Sequence, residues 1–272
     1  MKFSPVFDFK FQIVFVGGTM RSGTTMLHAL LCTSEKTHGY IAECRYFTSM
    51  IPPLLDALTQ YDAYSQFYFA GRDEVFKYHS MLLGKILSDM RVYLGNPEIL
   101  TLKDPFITPH IPMLINIFPN VKGVVSIRDP RGCIASQITG ALKKKEAISV
   151  ETVKNFCDHY NHSYQSILSS FDGIKDRMTL VRYEDIVNGI EIGRLERTGI
   201  SGLKPDRIWL DPITDIAQCK DDPLYTDLYG QKITNRDSNN FIHVLSPDQE
   251  KMIHDLCGET ENRLMELYRD NP

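Results

Sequence analysis

The feature that most constrains the fold of this chain is a glycine-rich turn between a short apolar run and a helical pattern. The run Gln12–Val16 is rich in Ile, Val and Phe, as expected of a strand that is buried on both faces. The turn Gly17–Gly23 follows it, and Thr24–Cys32 has the pattern of a helix. This order aims backbone N–H groups and the positive end of the helix dipole at an anion. The segment therefore predicts a phosphate-binding loop.

The residues that follow the second glycine distinguish this turn from the phosphate-binding loop of nucleotide triphosphatases. Gly18 and Gly23 have the G-x-x-x-x-G spacing of that loop, in which a Lys follows the second glycine and reaches the β- and γ-phosphates. Thr24 and Thr25 stand there instead and add hydroxyl donors, while the nearest cation is Arg21. The loop is therefore expected to bind phosphate without hydrolysing ATP in the usual way. A P-loop nucleotide kinase remains the alternative function.

Apolar runs alternate with longer helical patterns along the rest of the chain. The further strand candidates are Ile99–Leu102, Val121–Ile127 and Met178–Val181, and the further helix candidates are Asp73–Val92, Thr108–Phe118, Arg131–Lys145, Glu151–Phe171 and Asp248–Tyr268. This alternation predicts an α/β fold with a P-loop-like parallel sheet flanked by helices on both faces, as a single domain over residues 1–272. Residues 200–240 lack periodicity and contain several Pro and Gly, so a long loop over the site is expected there.

The segment Arg21–Thr25 resembles the loop that holds the 5′-phosphosulfate in sulfotransferases. These enzymes use 3′-phosphoadenosine 5′-phosphosulfate (PAPS) and release 3′-phosphoadenosine 5′-phosphate (PAP). The resemblance implies transfer of a sulfonate to an acceptor hydroxyl, on a peptide tyrosine, a sugar, a lipid or a small metabolite. In-line transfer requires positioning and charge stabilisation. Because the sulfonate carries less negative charge than a phosphoryl group, fixed Arg and Lys are expected to replace a metal ion.

A second anchor of sulfotransferases has a counterpart after another predicted strand. Arg128 follows the run Val121–Ile127, and Ser136 comes eight residues later. In the family such a pair holds the 3′-phosphate, since a guanidinium donates two parallel hydrogen bonds to a phosphate and a Ser hydroxyl adds a neutral donor. Taken alone, Arg128 could equally form a structural salt bridge. Together with the loop, the pair indicates PAPS rather than ATP.

Three further segments resemble the tyrosylprotein sulfotransferases in particular. Lys103–Phe106 resembles their K-D-P-F motif, and Arg182–Ile186 resembles their R-Y-E-D-L segment. Ile41–Arg45 stands where that group has an acidic segment. A Glu followed by aromatic residues, as at Glu43, is also similar to the catalytic segment of heparan-type carbohydrate sulfotransferases. The acceptor class therefore stays open.

The resemblance implies a role for each candidate residue. Arg21 and Lys103 hold the sulfonate and 5′-phosphate oxygens, and Glu43 is the general base that takes the proton of the acceptor hydroxyl. His110 is the runner-up base. The other candidates for binding PAPS are Ser22, Gly23, Thr24, Thr25 and Met26 in the loop, Arg128 and Ser136 at the second anchor, Tyr183 beside the adenosine, and Thr226 near the sulfonate.

Three of these residues also have structural interpretations. Glu43 could complement a helix dipole from the first turn of a helix. Lys103 could pair with the adjacent Asp104, and Tyr183 could be core packing. A non-catalytic binding module that kept the pocket would be expected to lack Glu43 or Lys103, and both are present.

The amino-acid composition indicates which binding partners and which cellular compartment to expect. The chain has 30 Lys and Arg against 34 Asp and Glu, and this net charge of −4 disfavours broad nucleic-acid binding. It has no apolar run of the length that predicts a membrane span. The six Cys lack the spacing of metal ligands, so no metal site is predicted and reduced thiols of a cytoplasmic protein are expected. The oligomeric state stays open.

Overall fold

A parallel sheet of four strands forms the centre of the protein. The computed structural model describes residues 7, 9–190, 192–209, 212–213, 230–234 and 240–271. The strands are β1 (Gln12–Gly18), β2 (Ile99–Lys103), β3 (Val121–Ile127) and β4 (Met178–Arg182), and their spatial order is β2-β1-β3-β4. The four predicted strands are confirmed, each within two residues of its predicted ends. Their runs of Val, Ile and Leu are almost wholly buried, as strands covered on both faces should be.

The order in which strands are added reverses at β1, because the chain first places β2 on one side of β1 and then β3 on the other. β2 pairs with one edge of β1 and β3 with the other, so that Val16 lies opposite Lys103 and Gly18 lies opposite Ser126. In open parallel sheets, ligands bind outside the carboxyl ends of the strands at such a reversal. The glycine-rich turn after β1 therefore lies where this topology places a binding site.

Helices cover both faces of the sheet. Among the described residues, the α-helices are α1 (Thr24–Leu31), α2 (Arg45–Ser49), α3 (Pro52–Thr59), α4 (Arg72–Tyr93), α5 (Ile111–Ile117), α6 (Pro130–Lys143), α7 (Val150–Ile174), α8 (Tyr183–Val187) and α9 (Pro247–Asp270). The six predicted helices are present, with ends that differ by up to three residues. The helices α2, α3 and α8 were not predicted, because helices of five to eight residues are too short to show a clear apolar period.

The prediction of a helix over Thr108–Phe118 is wrong at its start. A 3₁₀ turn covers Pro105–His110, and α5 begins only at Ile111. Pro109 lies inside the turn, and a proline has no N–H group to donate to the preceding turn of an α-helix. This irregular start places Thr108 against the glycine-rich turn.

Alternate residues of β1 pack on opposite faces of the sheet. Val14 and Val16 contact the cluster that contains Leu27 of α1. Ile13 and Phe15 belong to the larger cluster that contains apolar residues of α4, α5 and α7. The prediction of a sheet with helices on both faces is therefore confirmed.

The helix α9 begins with a capping box. The hydroxyl of Ser246 accepts a hydrogen bond from the backbone N–H of Gln249 at 3.3 Å, and the side chain of Gln249 accepts from the N–H of Ser246 at 2.9 Å. Pro247 is the first residue of the helix. This reciprocal pair satisfies two N–H groups that a helix start otherwise leaves unpaired.

Between residues 200 and 240, the described parts are irregular. They include a 3₁₀ turn at Pro205–Arg207 and the indole of Trp209, which packs edge-on against Tyr40 with ring centroids 5.0 Å apart. Coverage of the site by this segment stays a prediction, as does the single-domain organisation. In the described part of the chain, no helix has the length and apolarity to cross a membrane. The five cysteines described there, Cys32, Cys44, Cys133, Cys157 and Cys257, are free thiols.

Candidate active site

The turn after β1 has a backbone that glycine adopts most readily. Gly18 has a φ of 139° and Gly23 a φ of 89°. Gly23 also has no room for a side chain, because a Cβ atom there would lie 2.4 Å from Cδ2 of Tyr183. Gly23 precedes α1, and no side chain from this position caps the helix. The first N–H groups of α1 are therefore available to an anion.

Two buried hydroxyl groups hold this turn. Oγ1 of Thr108 accepts a hydrogen bond from the Gly18 N–H at 2.7 Å and lies 3.0 Å from the Gly18 carbonyl oxygen. The hydroxyl of Tyr164 accepts from the Thr19 N–H at 3.1 Å and donates to the Ser126 carbonyl oxygen at 2.8 Å. Burial raises the pKa of Tyr164, so its hydroxyl keeps the proton that it donates. These contacts fix the turn within the protein itself.

The sequence analysis missed both hydroxyl groups. Thr108 was placed in a regular helix, and Tyr164 lies on α7 beside buried residues of its apolar face. Hydroxyl groups on an otherwise apolar, buried face are the one signal that could have found them, because a buried hydroxyl requires a hydrogen-bond partner. The sequence does not reveal which partner that is.

Two arginines meet beside the turn. Nε of Arg21 donates to the hydroxyl of Ser136 at 3.0 Å, and Nη1 of Arg128 donates to the Arg21 carbonyl oxygen at 2.9 Å. The guanidinium of Arg128 stacks on the ring of Tyr183, 4.2 Å from its centroid. Burial lowers the pKa of Arg21, and the positive charge of Arg128 lowers it further. Two mutually repelling buried cations are a site that an anion stabilises.

Lys103 connects the turn with the segment before α2. Its side chain is only 2% exposed, and its Nζ donates to Oγ1 of Thr25 at 3.0 Å and to Oε1 of Glu43 at 2.9 Å. The backbone holds Glu43 in place, since the N–H of Cys44 donates to the Lys103 carbonyl oxygen at 2.9 Å. The Glu43 side chain is 42% exposed. A buried cation, an accessible carboxylate and the phosphate-binding turn therefore share one edge of the sheet.

The comparison with protein families agrees with this geometry. The profile of the sulfotransferase family matches residues 13–192. This chain belongs to the sulfotransferase family. The matched range includes the sheet from Ile13 onward, the turn after β1, the Lys103–Glu43 pair and the arginine pair.

Curated relatives of this chain include protein-tyrosine sulfotransferases. Protein-tyrosine sulfotransferase 1 of Danio rerio is 26% identical over 194 residues, which are 67% of this chain and 50% of the relative. The protein of the same name from Mus musculus is 33% identical over 131 residues, which are 47% of this chain and 34% of the relative. The chain spans about half the length, or less, of these two relatives.

Solved structures confirm the sulfotransferase fold. The sulfotransferase domain from the curacin biosynthetic pathway has a TM-score of 0.56 and 14% identity, and the match covers 90% of this chain and 96% of that domain. The sulfotransferase domain from the Synechococcus PCC 7002 olefin synthase has a TM-score of 0.57 and 15% identity, over 94% of this chain and 98% of that domain. These likenesses establish the architecture.

The remaining predicted loop residues differ in what their side chains contact. The hydroxyl of Ser22 is buried and donates to the Thr19 carbonyl oxygen at 2.7 Å, so it supports the turn from within. Thr24 is buried at the start of α1, and Met26 packs partly buried against the sheet. Thr226 lies outside the described residues. The roles of these residues in binding PAPS stay predictions.

His110, which the sequence predicted as the runner-up base, lies at the end of the 3₁₀ turn after β2. It lines a cleft together with Arg45 and Phe106. Burial lowers the pKa of His110, and the neighbouring His162 lowers it further. Within the described ranges, no group of three or more His, Cys, Asp or Glu is arranged to hold a metal ion. That the reaction needs no metal remains a prediction.

Proposed function

We propose that this chain transfers a sulfonate from PAPS to the hydroxyl group of an acceptor. Membership of the sulfotransferase family supports this reaction. The single observation that carries it is the buried Lys103, which contacts Thr25 in the phosphate-binding turn and Glu43 on the accessible side. A cation between an anion cradle and a carboxylate is what in-line transfer of an anionic group to a hydroxyl requires.

The residues present fit PAPS. The backbone N–H groups after Gly23 would hold the 5′-phosphosulfate. Arg128 and Ser136, which both contact Arg21, would hold the 3′-phosphate. The packing of Gly23 against Tyr183 supports a place for the adenosine near that ring. When bound, PAPS would supply the sulfonate, and PAP would leave.

Each catalytic role follows from a contact in the protein. Glu43 would take the proton of the acceptor hydroxyl at its accessible carboxylate, with Oε1 held by Lys103. Lys103, which is almost fully buried, would stabilise negative charge on the leaving side, where few water molecules compete with it. Arg21 would add a second fixed positive charge. This arrangement requires no movement of the cations during transfer.

A P-loop nucleotide kinase is the less favoured function. Its lysine would follow the second glycine of the turn, where this chain has the buried Thr24. The cation that reaches the turn comes instead from β2, as Lys103. A cation supplied by β2 agrees with membership of the sulfotransferase family. It argues against the function of a P-loop kinase.

The acceptor and the compartment belong to the proposal. A hydroxyl acceptor follows from the family, and a peptide tyrosine is supported by the names of the curated relatives. The five described free thiols support a cytoplasmic protein.

Thermal unfolding with three ligands tests the function. PAP at about 100 times its dissociation constant should stabilise the fold by about 2.7 kcal/mol, which raises Tm by several degrees. Adenosine 5′-phosphosulfate, which lacks the 3′-phosphate, should give a smaller shift at the same concentration. A shift with ATP and Mg²⁺ but none with PAP would reject the sulfotransferase and favour the kinase.

A further inference from the structure

A cleft lies beside residues that neighbour Glu43 and Lys103 in the sequence, and none of the residues assigned above to PAPS is among the described residues that line it. Its volume is about 280 Å³, and Pro105, Phe106, His110, His159 and His162 are among the residues that line it. This volume lies at the lower end of the range for small-molecule pockets. The cleft therefore fits a group of about the size of one aromatic ring.

The cleft adjoins the proposed reaction centre at two points. Arg45 lines it and follows Glu43 by two residues, just as Pro105 lines it and follows Lys103 by two residues. Ser163 also lines it, and its hydroxyl donates to Oγ1 of Thr19 in the phosphate-binding turn at 3.4 Å. A molecule in the cleft would therefore lie beside residues that closely follow Glu43 and Lys103 in the chain, and beside Ser163, which contacts the turn.

One wall of the cleft is apolar and aromatic. The ring of Phe106 is 38% exposed, and Arg45 stacks on it with its guanidinium carbon 4.1 Å from the ring centroid. Nη1 of Arg45 also lies 3.9 Å from Oδ1 of the buried Asp104. The Arg45 side chain stays 57% exposed at the cleft, and the stacked pair forms a flat surface on which a ring can lie.

Three imidazole rings also line the cleft, those of His110, His159 and His162. The ring of His159 lies 5.5 Å from that of Phe106, and its Nε2 is buried without a hydrogen-bond partner among the described residues. Burial lowers the pKa of His110 and of His159, and His162 lowers both further. None of the described residues that line the cleft is a carboxylate. Each ring therefore offers an N–H donor to an anion.

We infer that this cleft binds the acceptor through an anionic group, with His110, His159 and His162 as the donors and Phe106 as the platform for its ring. The inference rests on the proposed function, because it assigns the second substrate of that reaction. The acceptor class is a hydroxylated aromatic acid of about one ring, whose hydroxyl points to Glu43. Imidazoles suit this task because a hydrogen bond from a ring N–H to an ionised carboxylate is stronger than one to a neutral acceptor.

Two probes that differ only in charge test the inference. With the full chain saturated with PAP, the affinity of 4-hydroxyphenylacetate is compared by calorimetry with that of 4-hydroxyphenylacetamide at pH 6.5. The acid should bind roughly tenfold more tightly, which is the effect of about one charge-assisted hydrogen bond. The variants His159→Asn and His162→Asn should lose this preference and keep their stabilisation by PAP.

His254→Asn is the matched control, since His254 is exposed on α9, away from the residues that line the cleft. It should keep the preference for the acid. Equal affinity of the acid and the amide for the wild-type chain would overturn the inference, as would a preference that survives in both cleft variants. If PAP stabilises the protein and the probes bind equally, the cleft assignment alone fails. If PAP does not stabilise the wild-type chain, the proposed function fails whatever the probes do.

Discussion

The ammonium group of Lys103 lies 2.9 Å from Oε1 of Glu43, although one side chain is buried and the other is open to solvent. The carboxylate is therefore held at a defined place on the accessible side of the turn. Such positioning is what a general base needs, since proton transfer depends on the distance to the acceptor hydroxyl.

Replacing Glu43 by Gln should abolish most of the turnover. The amide keeps an oxygen for Lys103 but cannot accept the proton, so the rate should fall by roughly 10²- to 10⁴-fold. The measurement is the rate of PAP release from PAPS with an acceptor found among hydroxylated probes. Stabilisation by PAP should persist. Glu35→Gln, which alters an exposed Glu that pairs with Lys204, is the control and should keep full activity. Near-normal turnover of Glu43→Gln would remove this residue from the mechanism.

A methyl group at Gly23 should disrupt the turn. Gly23→Ala places a Cβ atom 2.4 Å from the Tyr183 ring at a φ of 89°, whereas Gly95→Ala has a φ of 85° and no atom within 4 Å. Both variants carry the left-handed strain of about 1–2 kcal/mol. Only Gly23→Ala should lose more stability than this in urea unfolding and lose its stabilisation by PAP. Equal behaviour of the two variants would mean that the contact with Tyr183 has no importance.

Removing the hydroxyl of Tyr164 should make the glycine-rich turn more mobile, while the residues of the turn itself stay the same. Tyr164→Phe leaves the Thr19 N–H and the Ser126 carbonyl without this partner, at a cost of about 1–3 kcal/mol in the free energy of unfolding. PAP should bind roughly tenfold more weakly, because about 1–2 kcal/mol of backbone ordering moves to the binding step. Tyr61→Phe, whose hydroxyl donates to the Phe69 carbonyl, is the control and should leave PAP affinity unchanged. If the two variants bind PAP alike, Tyr164 serves stability alone.

Arg128→Ala should weaken the binding of PAP by roughly a hundredfold, since it removes a buried charged donor. Adenosine 5′-phosphosulfate has no 3′-phosphate, so its affinity should change much less. Calorimetry with both ligands measures the difference. Equal losses for the two ligands would show that Arg128 does not bind the 3′-phosphate.

Stability should fall as the pH rises through the range in which Glu261 ionises. Burial raises the pKa of Glu261 from 4.5 to about 7, and the negative charge of Asp129 raises it further. The folded state therefore binds this proton more tightly than the unfolded state, and stability is lost between about pH 4.5 and about pH 7. Because the side chain is only half-buried, the effect is discounted to about 1 kcal/mol.

Glu261→Gln should accordingly raise Tm at pH 8, and the gain should shrink as the pH falls and vanish near pH 4. Thermal unfolding over this range measures it. Glu259→Gln, on the exposed side of the same helix, is the control and should show no such dependence. A gain that is constant with pH would mean that ionisation of Glu261 has no part in it.

The strands and the glycine-rich turn were predictable because their signals are local. β1 is a run of buried residues followed by glycines, and this order determines both the strand and the anion site. The contact between Lys103 and Glu43 depends instead on packing across 60 positions of sequence, and only the family resemblance suggested that the two act together. Tyr164 could not be predicted, because its partner lies 145 positions away. Short helices such as α2 have too few residues to show a period.

The hydrogen bonds that Thr108 and Tyr164 accept from the turn affect the thermodynamics of ligand binding. Ordering a flexible segment of five residues on binding would subtract roughly 5–10 kcal/mol from the affinity, at about 1–2 kcal/mol for each residue. In this protein the backbone entropy of Thr19–Gly23 is lost when the chain folds. A nucleotide that binds there would therefore find the backbone already ordered. Its association should occur in one step, with no slow isomerisation phase.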